Sequence, residues 1–175
     1  MNFQRLEKNI IDMIKEQQLK LGYRNEVVRL YYPSLSINRL LETDYTVDGL
    51  NGALKEFVLQ AKDRLGEIEY TCQNGRYCFK LPEKAGAYVH GILKDNEFIS
   101  EFIKTIGKHG CTMDEIISVF RKYSRDIHIE RPEGKDFDYV VYFEDSIIDE
   151  YKYCLTREGN HLIYHRFLPE DYRDL

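Results

Sequence analysis

The chain has no tryptophan, only four prolines, and no apolar run near the roughly 20 residues that a bilayer-crossing helix needs. The opening MNFQRLEKNIIDMIKEQQ is charged throughout and lacks the apolar centre of a signal peptide. A cytoplasmic location away from membranes is therefore expected. Four cysteines at irregular spacing, without an export signal, are expected to stay reduced. The sharp catalytic signatures are missing too: no Gly-rich phosphate loop, no H-E-x-x-H, no G-x-S-x-G, no EF-hand loop and no C-x-x-C. No cofactor is expected. Positive charge is outnumbered and shows no concentrated excess. The net charge is −5, with 12 Lys and Arg against 11 Asp and Glu in residues 1–82, and 13 against 19 in residues 83–175. The second part repels a polyanion by its bulk field, and the first attracts one only weakly.

Tyrosine takes up the missing aromatic bulk: 14 Tyr exceed 9 Phe, so much of the aromatic surface carries a hydroxyl that needs a partner or water. Residues 2–21 read as a helix, with Phe3, Leu6, Ile10, Met13, Ile14 and Leu21 at helical spacing and Gly22 to end it. NEVVRLYYP predicts a short strand stopped by Pro33, and one of Tyr31 and Tyr32 is a candidate exposed contact. Ser34 or Ser36 is placed to cap a short helix SINRLLE. A longer helix starts near Asp48, with Leu50, Leu54, Phe57, Val58, Ala61 and Leu65 in one stripe and Gly66 at its end.

EIEYTCQNGRYCFKLP then sets Cys72 and Cys78 about Asn74-Gly75, a pair suited to a two-residue type I′ turn. That register puts Cys72 opposite Tyr77, Tyr70 opposite Phe79 and Ile68 opposite Leu81 on an apolar face; Glu69 meets Lys80 and Thr71 meets Cys78 on the other. The two thiols then project from opposite faces and cannot share a metal or a disulfide. Cys72 is expected to be slow to alkylate and Cys78 fast.

Helices are expected again at AYVHGIL, at NEFISEFIKTIGKHG and at TMDEIISVFRKYS, the last with Thr112 and Glu115 forming a capping box. Strands follow at DIHIER, DFDYVVYFED, EYKYCLT and NHLIYHRF, the last two a hairpin about Glu158-Gly159. TVDGLNGALKEF and TMDEIISVFRKY match at an offset of 66 residues, which suggests a duplicated helix-plus-wing unit or two similarly capped helices. The extra strand pair after the second argues for the latter.

Two constellations on the last hairpin resemble chemistry. Glu150-x-Lys152, preceded by Asp138, Glu144 and Asp145, has the form of a carboxylate-held Mg²⁺ site with a lysine beside the attacking hydroxide, as in restriction-type nucleases. Cys154, His161 and His165 share the same strand face and could hold Zn²⁺. The plain alternative for both is a solvated strand face. A duplex would meet Asn51, Lys55, Gln60 and Lys62 on the helix from Asp48, and Arg76 and Lys80 on the wing. Glu56, Asp63, Glu67 and Glu69 interrupt that surface, so a protein partner is as well served as DNA. His90, His109 and His128 stand alone in sequence.

KLGYRNEVVRLYYPSLSINRLL, GKHGCTMDEIISVFRKYS, FDYVVYFEDSIIDEYKYC and HLIYHRFLPEDY together resemble a small family of uncharacterised bacterial proteins, a domain of unknown function found among gut Firmicutes. The resemblance implies a full-length, stand-alone bacterial cytoplasmic protein and transfers no site residue. The expected class is α+β: a winged-helix-like half over residues 1–82, then two or three helices and a mostly antiparallel sheet over 83–175, packed as one body. Three functions are expected to compete. The first is a non-catalytic, regulatory binding module acting on DNA or a protein partner through the first half. The others are a metal-dependent hydrolase on the polar face of the last hairpin, and a scaffold that dimerises.

Overall fold

The structure is a computed structural model describing residues 1–175, and it has the expected α+β composition. The chain forms two compact units, residues 1–93 and 94–175. No helix is long and apolar enough to cross a membrane.

The first unit runs α1 (Phe3–Leu21), β1 (Val28–Pro33), α2 (Ser34–Leu41), α3 (Val47–Leu65), β2 (Glu69–Gln73), β3 (Arg76–Leu81) and α4 (Glu83–Ile92). Asn2 caps α1 by accepting from the Arg5 amide, and Thr46 caps α3 by accepting from that of Gly49. The sheet is antiparallel in the order β1-β3-β2. The β2–β3 hairpin has the expected register, Cys72 facing Tyr77 and Thr71 facing Cys78, with Asn74 and Gly75 both at positive φ, as a type I′ turn demands. Val28, Tyr32, Tyr77, Phe79 and Leu81 bury one sheet face in a core shared with Leu6 and Ile10 of α1, Ile37 and Leu40 of α2, and Leu54 and Phe57 of α3. Helix α4, read from sequence as part of the second half, belongs to this unit: it packs on α1, α3 and β3, and Gln18 of α1 donates to the Gly86 carbonyl at 2.8 Å.

Two details of this unit differ from expectation. Neither serine caps α2; its N-cap is Pro33, which makes no side-chain cap bond. Ser34 is the first helical residue, and both its amide and its hydroxyl donate to the Gly75 carbonyl, each at 2.8 Å. A serine at a helix start has two uses, and here the hairpin turn takes it. Cys78 is half-buried, as Cys72 is, because β1 lies along β3 and sets Tyr31 beside it. The thiols keep opposite faces but lose the contrast in exposure. Between α2 and α3 the chain folds around Asn38, nearly buried, whose side chain donates to the Tyr45 carbonyl at 2.9 Å and accepts from the Tyr45 amide and the Thr43 hydroxyl.

The second unit runs α5 (Phe98–Ile106), α6 (Met113–Tyr123), β4 (Ile127–Glu130), β5 (Tyr139–Phe143), β6 (Lys152–Glu158), β7 (His161–Phe167) and α7 (Pro169–Arg173). The strands form an antiparallel meander, β4-β5-β6-β7. The last hairpin turns at Gly159-Asn160, one residue later than expected, because Glu158 pairs with His161; side-chain parity is unchanged, so the two faces are as read. Thr112 and Glu115 make the full capping box on α6.

One face of this sheet lies under α5 and α6. Phe98 meets Phe120, Phe143 and Tyr153 edge-on at 4.7, 4.8 and 5.6 Å between ring centres, and Phe102 meets Tyr153 and Tyr164 at 4.7 and 4.9 Å. The other face, expected to be solvated, is covered as well. Tyr172 of α7 packs on Val140 and Cys154, with Phe137, Tyr142 and Phe167 around them. Lys152 places its ammonium 4.1 Å from the centre of the Tyr142 ring and 4.6 Å from that of Tyr172. Cys154 is 0% exposed, and burial pushes its thiol up to about 12.

Three outcomes follow. A disulfide reagent at mildly alkaline pH titrates Cys72 and Cys78 at comparable rates and reaches the buried Cys111 and Cys154 only on unfolding; four promptly reactive thiols would contradict this burial. Asn38→Leu strands the Tyr45 amide and carbonyl and lowers unfolding stability by about 2 kcal/mol in urea titrations. The Thr112 amide, then the Thr112 hydroxyl, hold the Glu115 carboxyl below its ordinary range. That contribution is present above the unfolded carboxylate value and is lost as pH falls through the lower folded one. The stability gap between wild type and Glu115→Gln therefore narrows as pH falls below the ordinary glutamate range.

Candidate functional site

The outward side of α3 is defined by what its inward side has used. Leu50, Leu54, Phe57, Ala61 and Leu65 face the core, which leaves Lys55, Glu56, Leu59, Gln60, Lys62 and Asp63 exposed. Leu59 is 73% exposed. Its helical neighbours at i−4, i−3, i+3 and i+4 are Lys55, Glu56, Lys62 and Asp63, two cations and two anions around one apolar side chain. The sequence reading passed over this leucine, although it lies two residues from Phe57 and so out of phase with the buried stripe.

The six residues expected to meet a ligand are divided by the fold. Asn51 is turned inward: its side-chain oxygen accepts from the Tyr77 hydroxyl at 3.1 Å, and its carbonyl accepts from the Tyr70 hydroxyl at 3.0 Å. Burial pushes the Tyr77 phenol up to about 12, so it stays a donor and holds Asn51 there. Gln60 donates to Glu56 at 3.1 Å. Lys62 pairs with Glu67 at 2.8 Å, a hydrogen bond that raises the lysine's pKa and lowers the glutamate's. Lys80 pairs with Glu69 at 2.9 Å. Arg76 lies over the Tyr31 ring at 5.7 Å, and Tyr31, not Tyr32, is the exposed tyrosine of the pair. Tyr32 is buried, with its hydroxyl donating to Asn9 at 2.8 Å. Lys55 stands on the outward face beside Leu59.

In the second unit the nuclease-like set does not converge. Asp138 precedes β5 and Glu144 follows it, so a five-residue strand, roughly 17 Å, separates them. Asp138 accepts from the Arg157 amide at 2.8 Å, Asp145 from the Ile147 amide at 2.9 Å, and Glu144 lies 3.4 Å from His128. Glu150 sits in the connection between β5 and β6, and the Lys152 ammonium is taken by two tyrosine rings. The Cys-His set is likewise dispersed. Cys154 pairs with His165 across the ladder, but His161 lies at the hairpin end against His109, at 5.2 Å between ring centres. No three His, Cys, Asp or Glu side chains are placed to hold one metal ion.

His128 is not isolated in the fold. Its ring lies 4.9 Å from that of Tyr142, and its nitrogens stand 3.2 Å from Glu130 and 3.4 Å from Glu144. Glu130 also accepts from the Tyr172 hydroxyl at 3.2 Å. Nothing in the sequence marks this group, because its members come from β4, β5, the connection after β5, and α7.

No curated protein and no solved structure matches the chain. Residues 3–175 match a family whose description reads domain of unknown function, E. rectale gene description (DUF3877). The match takes in both units, from the first residue of α1 to the end of the chain. The chain accordingly belongs to the DUF3877 family.

Proposed function

We propose that the chain is a non-catalytic binding module that takes a protein partner on the outward face of α3. The helix-strand-helix-helix-hairpin order of the first unit and its β1-β3-β2 sheet support a winged-helix reading, in which α3 would take the position of the recognition helix. The observation that carries the reading is Leu59, exposed at the centre of that face within a charge-balanced ring. An apolar centre with a polar rim is the anatomy of a protein interface.

A duplex-reading surface needs cations free to replace counterions along phosphate. Here Lys62 and Lys80 are paired to carboxylates, and Arg64 makes a two-pronged contact with Glu7. Asn51, the residue best suited to a base edge, serves Tyr77 instead.

The test has two arms. Anisotropy with a labelled random 24-base-pair duplex at low salt gives no binding; a salt-sensitive rise would overturn the protein-partner reading in favour of DNA. In affinity capture from the source cells, a partner held by wild type is lost about tenfold or more by Leu59→Glu, since burying a leucine contributes about 1.5–3 kcal/mol. Equal capture by both forms would remove α3 as the contact.

A further inference from the structure

Asp138 fails as a metal ligand but lines something else. Arg131, Phe137, Asp138, Tyr139 and Arg157 enclose an open groove of about 570 Å³ in the second unit, within the range of small-molecule sites. Residues 94–175 hold 18 Asp and Glu against 12 Lys and Arg, and two of those arginines line this one groove. Neither guanidinium touches a carboxylate: their contacts are to a tyrosine hydroxyl and ring and to a backbone carbonyl.

Each guanidinium is nonetheless held. Arg131 lies 5.0 Å from the centre of the Tyr139 ring and donates through Nη2 to its hydroxyl at 2.8 Å. Arg157 donates through Nη2 to the Cys111 carbonyl at 3.4 Å. A guanidinium has five N–H donors, and one engaged donor leaves a planar fork for an anion. The Asp138 carboxylate accepts from the Arg157 amide at 2.8 Å through Oδ2, which leaves the other oxygen for a hydroxyl. Phe137 and Tyr139, both half-buried, add aromatic surface.

We propose that this groove binds a nucleoside monophosphate, with the phosphate held by Arg131 and Arg157, a sugar hydroxyl on Asp138, and the base against Phe137 and Tyr139. Two forks, one acceptor and two rings match the three parts of that ligand. The inference rests on the groove alone and is independent of the α3 reading.

Calorimetric titration of the full chain with adenosine monophosphate, ribose 5-phosphate, inorganic phosphate and adenosine tests it. Saturable binding is expected for the nucleotide, at least about tenfold tighter than for inorganic phosphate or adenosine. Arg131→Gln and Arg157→Gln each weaken it about tenfold or more, whereas Lys104→Gln, outside the groove, leaves it unchanged. Arg157→Lys keeps charge and fold but not the fork, and also weakens binding. No saturation by the nucleotide at about 5 mM, the same loss in Lys104→Gln, or inorganic phosphate binding as tightly as the nucleotide would each overturn the proposal.

Discussion

A phenol taken out of water must find an acceptor, and in the second unit this requirement organises one whole side of the sheet. Tyr172 is brought down by α7 onto Val140 and Cys154, and its hydroxyl reaches Glu130 at the edge strand. Burial, with that hydrogen bond second, pushes the phenol up to about 12, so the donor is never lost under physiological conditions. From this contact the rest follows: Lys152 acquires a second ring, Lys135 reaches the Tyr172 carbonyl at 3.3 Å, and Cys154 is sealed from solvent. A strand face that alternates like a solvated one is thereby made into interior.

Tyrosines impose the same demand on the first unit, with a different result. Tyr32 draws Asn9 of α1 inward and Tyr77 draws Asn51 of α3 inward. Both asparagines are polar residues on otherwise amphipathic helices, and both are consumed by hydroxyls from the sheet. With Asn51 spent, α3 offers solvent a leucine among opposed charges. The abundance of tyrosine and the neutral outer face of α3 are therefore connected.

Features governed by local chemistry were legible in the sequence. Asn74-Gly75 sets the turn and hence every pairing of the first hairpin, and Thr112 with Glu115 marks the start of α6 through contacts three residues apart. Features decided by a distant partner were not. Ser34 looks like a cap until the Gly75 carbonyl, 41 residues on, claims it. Helix α7 spans five residues, too few to show a period, so Cys154 read as exposed. The candidate site divides the same way: alternation assigned Lys152, Cys154 and His165 to one face correctly, and the stripe of α3 already leaves Leu59 outside it, while Asn51 depended on a hydroxyl arriving from Tyr77 of the hairpin.

The first-turn amides of a helix have no partner within it and ordinarily exchange with solvent as readily as a loop does. That of Ser34 is instead closed onto the Gly75 carbonyl, with the hydroxyl beside it. Opening either the start of α2 or the tip of the hairpin alone breaks both bonds and strands the Ser34 amide. What looks like a protruding wing is thereby tied to the helical body.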